Sequence, residues 1–250
     1  MKNTFVRLSN VAAFMTGYEV VERRGAAENC FVIVDGKPGY GKTSTAQWFA
    51  ISNQLPFVRA KREWRPSWML RQLLETVQTA PAHSYEKIFQ QTIEAMGKRS
   101  AIAAAEEKPF AIIVDEADHV VTSSALMETL RDISDLVEVP ILLIGMGRIS
   151  AGVKRFPQIA SRVESHVEFK PLTLADTRLL VEQRGEVAVD ADLLQLLHDK
   201  AEGYAREVLT GLASIERAGK RLDHPVTIAD MAGQQLLVQR STSHAFIVRG

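Results

Sequence analysis

Gly36-Lys37-Pro38-Gly39-Tyr40-Gly41-Lys42-Thr43 (GKPGYGKT) follows the apolar run Cys30-Phe31-Val32-Ile33-Val34 and precedes a helical pattern. The octapeptide satisfies G-x-x-x-x-G-K-[ST], the P-loop pattern, in the strand–loop–helix context that the pattern requires. Its spacing has a physical reason. Polyphosphate is held by several backbone N–H groups converging on one small volume, and glycine alone lets the chain turn and approach that closely. Lys42 is placed to neutralise the β- and γ-phosphates, and the Thr43 hydroxyl to ligate Mg²⁺. A helix over roughly 42–53 aims the positive end of its dipole at the phosphates. The expected nucleotide contacts are Gly36, Lys37, Pro38, Gly39, Tyr40, Gly41, Lys42, Thr43 and Ser44, with ATP and Mg²⁺ as the bound species.

A second run, Phe110-Ala111-Ile112-Ile113-Val114, ends in Asp115-Glu116-Ala117-Asp118. A continuous apolar run suits a buried parallel strand. Asp115 at its C-terminal end suits the Walker B role of holding Mg²⁺ through water. Glu116 suits polarising the attacking water, which separates a hydrolase from a nucleotide sensor. The alternative is an acidic helix start. The letters D-E-A-D also suggest a DEAD-box helicase, but no second helicase-sized domain is legible in 250 residues. His119 reads as a loop residue rather than a metal ligand.

Formal net charge is zero, from 30 Lys and Arg against 30 Asp and Glu, which argues against a general polyanion binder but not against a local basic track. The one cysteine, Cys30, excludes an intrachain disulfide and suits a reducing cytoplasm. No apolar stretch reaches transmembrane length, and the start is too polar for a signal peptide, so no membrane association is expected.

Around the two motifs, strand and helix patterns alternate: a helix over 5–24, then strand 30–35, helix 42–53, strand 56–60, helices 67–79 and 84–104, strand 110–115, helix 123–137, strand 140–145, a short helix 157–161 and strand 166–169. Alternation of this kind predicts an α/β fold, with a parallel sheet covered by helices on both faces. Beyond Lys170 the strand signal stops, and helices are expected over 173–184, 190–200, 204–219 and 227–240, the first capped by Thr173 with Asp176 in its first turn. The expected organisation is a helical lead-in over 1–29, a nucleotide-binding core over 30–170 and a small all-helical lid over 171–250.

A P-loop core followed by a helical lid resembles the AAA+ ATPases along nearly the whole chain. In that family the Ser-Arg of Phe156-Pro157-Gln158-Ile159-Ala160-Ser161-Arg162 would supply an arginine finger to a neighbouring subunit. Arg162 is thus the expected finger and Arg155 the second choice, a solvated arginine being the alternative. Gly203-Tyr204-Ala205-Arg206 resembles the sensor-2 motif, whose arginine, here Arg206, reaches nucleotide in its own subunit. Within AAA+, the chain is most similar to the transposition regulators of the MuB and TnsC type. The similarity is carried by Leu8–Phe14, Arg59–Leu74 and Arg155–Arg162. That resemblance implies an ATPase that assembles as a filament on double-stranded DNA and activates a transposase. Such a core carries a polar sensor-1 residue in many members where this chain has Met146, which implies slow hydrolysis unless Arg148 or Ser150 substitutes.

The densest basic segment is Arg59-Ala60-Lys61-Arg62-Glu63-Trp64-Arg65-Pro66-Ser67-Trp68, with Arg71 beyond. Basic residues interleaved with aromatics suit a phosphate track, so Arg59, Lys61, Arg62, Arg65 and Arg71 are the expected DNA contacts. Trp68, with Leu70, Leu73 and Leu74, fits the apolar face of a helix and is expected in the core; Trp64 fits either environment. Two other functions use the same nucleotide site: a helicase loader of the IstB or DnaC kind, and an interaction switch without DNA, of the secretion-associated ExeA type.

Overall fold

The apolar runs do pair as parallel strands. The structure, a computed structural model, describes residues 1–249. Helix α1 (Ser9–Glu22) leads into β1 (Phe31–Gly36), α2 (Lys42–Asn53), β2 (Phe57–Arg59), α3 (Pro66–Thr76) and α4 (Tyr85–Ala105). Then follow β3 (Ile112–Asp115), α5 (Ser124–Val137), β4 (Ile141–Ile144), α6 (Ile149–Val153), α7 (Pro157–Ala160) and β5 (Val163–Phe169). The chain continues with α8 (Leu174–Arg184), α9 (Ala191–Ala201), α10 (Ala205–Gly219), β6 (Gln235–Val238) and β7 (Ala245–Ile247).

Five strands form one sheet in the order β2-β3-β4-β1-β5. β1 runs parallel to β4, β4 to β3 and β3 to β2. β3 and β4 are buried at every residue, as expected of strands covered on both faces. Parallel pairing brings the C-terminal ends of β1, β2, β3 and β4 to one edge of the sheet, where open α/β sheets bind ligands.

The chain divides into two compact units: Ala13–Lys37 with Lys42–Glu168, and Met1–Ala12 with Pro38–Gly41 and the chain from Phe169 on. In the first, the core unit, Phe31, Ile33, Ile112, Val114, Ile141 and Leu143 join Leu70, Leu73, Leu130 and Ile133 of α3 and α5 in one core. The rings of Phe14 and Tyr18 pack on Phe49, with centroids 5.4 and 4.9 Å away. Gly17 permits close approach to β5, since a Cβ there would lie 2.2 Å from Val167 Cγ2.

In the second, the lid unit, α8, α9 and α10 enclose a core that includes Leu180, Leu193, Leu197 and Leu212. Thr173 caps α8 as expected, its hydroxyl accepting from Asp176 N while the Asp176 carboxylate accepts from Thr173 N. The helix expected over 227–240 does not form. A 3-10 turn, Ala229–Met231, stops at Gly233 with φ +75°, and β6 and β7 follow as an antiparallel ribbon. Leu236 and Leu237 are both buried against the lid core, an adjacent pair that breaks strict strand alternation at an irregularity in the β6–β7 register between Gln235 and Leu237. The short helix α6, five residues long, was not expected from the sequence.

Candidate functional site

In the core unit, Asp115 closes β3 and is almost fully buried, and the Thr43 hydroxyl in the first turn of α2 stands 3.2 Å from each of its carboxylate oxygens. Two oxygen donors at that spacing, one hydroxyl and one carboxylate, suit the hard-oxygen chemistry of Mg²⁺. Lys42 is buried, and its Nζ donates to the carbonyls of Gly36 at 2.5 Å and Lys37 at 3.0 Å. Burial lowers its pKa, while Asp35, Asp118 and Asp115 pull it upward. The loop glycines behave as the motif demands. Gly39 and Gly41 both have φ +96°, and a Cβ on Gly41 would meet nothing within 4 Å, so open space lies over the loop there.

Glu116 adopts the left-handed conformation, φ 55° and ψ 36°, with its side chain 48% exposed. A non-glycine residue rarely holds that conformation, and such strain gathers at functional sites. The turn carries the carboxylate out from the buried end of β3 into solvent. Ala117–His119 forms a 3-10 turn and places His119 there, and among the described residues no cluster of acidic, His and Cys side chains could hold a metal ion.

Two carboxylates that the sequence reading passed over hold the loop after β4. Buried Asp35 accepts from the N–H groups of Gly36 at 2.6 Å and of Gly147. Asp118 accepts from Met146 N at 2.6 Å, while its other oxygen, Oδ1, is buried with no hydrogen-bond partner. Burial raises the Asp118 pKa, opposed by the Met146 N–H. The Met146 side chain is exposed; Ser150 is engaged with His166 Nε2 at 3.1 Å and Arg148 is exposed.

The AAA domain family matches residues 26–151. The chain belongs to that family. Nucleotide hydrolysis is the general chemistry of AAA domains. No curated protein matches the chain. Among solved structures, the fold is similar to ORC2 of Aeropyrum pernix, solved as ADPNP–ADP complexes (TM-score 0.66, 13% identity, 91% of this chain and 68% of that one). It is also similar to Cdc6p of Pyrobaculum aerophilum (0.65, 14%, 92% and 68%) and to Aeropyrum pernix ORC1 in complex with DNA (0.58, 19%, 92% and 64%). At these identities the likeness is one of fold, and this chain spans about two thirds of the length of those proteins.

In the lid unit of this AAA protein, the exposed Arg206 sits in the first turn of α10, and its backbone N–H reaches the Gly39 carbonyl at 3.4 Å. Tyr40 and Tyr204 pack with ring centroids 4.9 Å apart, and burial, then Tyr204, raises the Tyr40 pKa. Arg162, in the core unit, is ion-paired with Asp135 of α5 within its own chain, whereas Arg155 is exposed.

The basic segment is split. Arg59, at the end of β2, stands in register with Asp115 and, although exposed, leans toward it. Its Nε lies 3.2 Å from Asp115 Oδ2 and 3.7 Å from Glu116 Oε1, so it is engaged with the site and not with the other basic residues. Lys61, Arg62 and Arg65 are exposed, and Arg71 reaches the His83 carbonyl at 3.3 Å. Trp68 is not in the core: it is 41% exposed, with Lys61 Nζ 5.2 Å from its ring, while Trp64 is buried. Pro66 starts α3, and its buried stripe is Met69, Leu70, Leu73 and Leu74, which leaves position 68 on the solvent side.

Proposed function

We propose that this protein is an ATP-dependent, DNA-binding ATPase that assembles on duplex DNA and regulates transposition, selecting a target and activating a transposase from the cytoplasm. The observation that carries the ATPase reading is the Thr43–Asp115 pair, 3.2 Å apart beside the P-loop lysine. When bound, Mg²⁺ would supply charge neutralisation at the phosphates. Thr43 and Asp115 would hold it, Lys42 would exchange its loop carbonyls for phosphate oxygens, and Glu116 would orient the attacking water and accept its proton. Arg206 would contact nucleotide within the subunit, and Arg162, on leaving Asp135, would act on the neighbour's γ-phosphate, with Arg155 the exposed second candidate.

The DNA reading rests on Lys61, Arg62 and Arg65, exposed together beside an outward-facing tryptophan. Exposed cations and an aromatic ring are phosphate-contacting and stacking groups. Its support from fold likeness is that a protein of similar fold, Aeropyrum pernix ORC1, was solved in complex with DNA. That likeness equally favours a second reading, a helicase loader, which uses the same residues with another partner.

Electron microscopy of the protein with duplex DNA, with and without ATP, tests the proposal. Filaments that need ATP, and a transposase whose strand transfer they raise, are expected. DNA bound only by isolated rings, with a helicase as the captured partner, would favour the loader. No assembly on DNA in ATP would refute both.

A further inference from the structure

The β6–β7 ribbon stands where a helix was expected, and Arg240 lies two residues after the end of β6, in the turn that leads to β7. Its guanidinium lies over the Tyr204 ring, with Cζ 4.7 Å from the centroid. Its Nη1 is 2.9 Å from the position a Cβ on Gly39 would occupy, so the cation rests directly against the tip of the P-loop, in the same unit. Its ion pair with Glu207 Oε1 is 3.7 Å long, beyond hydrogen-bond range.

We infer that Arg240 is a further nucleotide-contacting residue, which binds the terminal phosphate of a nucleoside triphosphate at the loop tip. The inference rests on the ATPase reading above. Its chemistry follows from placement. The tip presents backbone N–H donors to polyphosphate, and a guanidinium beside it adds a planar pair of donors matched to two phosphate oxygens. Gly39 stands three residues before Lys42, which opens α2. The inner phosphates sit at the helix N-terminus, so a cation beside Gly39 meets the outer end of the chain of phosphates. The Tyr204 ring lies against the guanidinium, and the fork of donors a guanidinium offers is one that an ammonium cannot copy. The long contact with Glu207 is one that a phosphate of higher charge displaces. The ribbon thereby acquires a role: it carries a discriminator between triphosphate and diphosphate, separate from Arg206 on α10.

The test measures binding of ATPγS and of ADP, each with Mg²⁺, to the full chain, to Arg240→Gln and to Arg240→Lys. Thermal unfolding without nucleotide checks that the exposed substitutions leave the fold intact. A lost charge-assisted contact predicts that Arg240→Gln weakens ATPγS by about 10- to 100-fold. ADP binding should be unchanged and Arg240→Lys intermediate for ATPγS. Equal weakening of both nucleotides, or no weakening of either, would overturn the assignment. Tighter binding of both would also overturn it, by making Arg240 a clasp on the empty loop. Failure of the wild-type chain to bind either nucleotide would instead overturn the ATPase reading, and a Lys42→Ala control that loses both ligands ties the signal to the P-loop.

Discussion

If Asp115 holds Mg²⁺ as proposed, Arg59 competes with the metal for its carboxylate, and Arg59→Met should reveal the competition. The methionine keeps an unbranched apolar stem in place of the arginine's and removes the guanidinium with its charge. Asp115 is buried, with Thr43 and Arg59 as its side-chain partners at 3.2 Å. The bare Coulomb attraction at that distance is about 5 kcal/mol with an effective dielectric of 20. Arg59 is 48% exposed, so solvent screening reduces the net contribution to about 1 kcal/mol. Removing it destabilises the nucleotide-free state by that amount, which for a chain of this size lowers Tm by about 2–4 °C. A state with Mg²⁺ on Asp115 would already have given up the arginine and would lose nothing. The thermodynamic cycle then tightens Mg²⁺ by the same ~1 kcal/mol, about fivefold. Two assays on one protein read both limbs: Mg²⁺ titration of ATP binding, and thermal unfolding with and without Mg²⁺·ATP. A Mg²⁺ dependence that is unchanged or weaker, or an equal fall of Tm in both states, would refute the reasoning and make Arg59 a support of the bound metal.

Glu116→Gln should keep ATP binding and lose turnover, because only the carboxylate facing water is removed, whereas Lys42→Ala should lose binding; a Glu116→Gln enzyme hydrolysing at the wild-type rate, in steady-state phosphate release, would overturn the base assignment. Replacing Lys61, Arg62 and Arg65 with alanine should weaken DNA binding on every sequence and flatten the salt dependence by about 0.9 in slope for each lost phosphate contact, read by fluorescence anisotropy across salt. ATP binding by that variant should be intact. Asp118 has a raised pKa from burial, so the folded protein holds its proton more tightly than the unfolded chain does, and stability falls as pH rises above the ordinary aspartate range. Asp118→Asn keeps an acceptor for Met146 N and should remove that part of the pH slope in urea unfolding; an unaltered slope would show that Asp118 is not its source.

The loop and the strand before it were legible because their signals are local. A continuous apolar run, a glycine-dictated turn and a helical pattern lie side by side, and α2 spans Lys42–Asn53 as the pattern predicts. Asp115 was equally plain, as an acid at the end of a buried strand. What escaped depends on partners distant in sequence. Arg59 looked like the first cation of a basic segment, yet the register of β2 on β3 sets it beside Asp115. Asp35 and Asp118 were acids without an evident task until the loop after β4 offered them N–H groups. Trp64 and Trp68 are both compatible with a buried face, and only the start of α3 at Pro66 decides between them. Arg240 was hidden by the helix expected over 227–240, since two adjacent leucines do not show the alternation of a strand and both are buried in the ribbon only at a register irregularity.

Co-sedimentation of the protein with duplex DNA, in ATP, in ADP and without nucleotide, tests the central claim most directly: that nucleotide held at Lys42, Thr43 and Asp115 governs attachment to DNA. DNA should carry the wild-type protein down in ATP, little in ADP or without nucleotide, and should not carry Lys42→Ala in any condition. Equal sedimentation in all three conditions, or none in ATP, would contradict it.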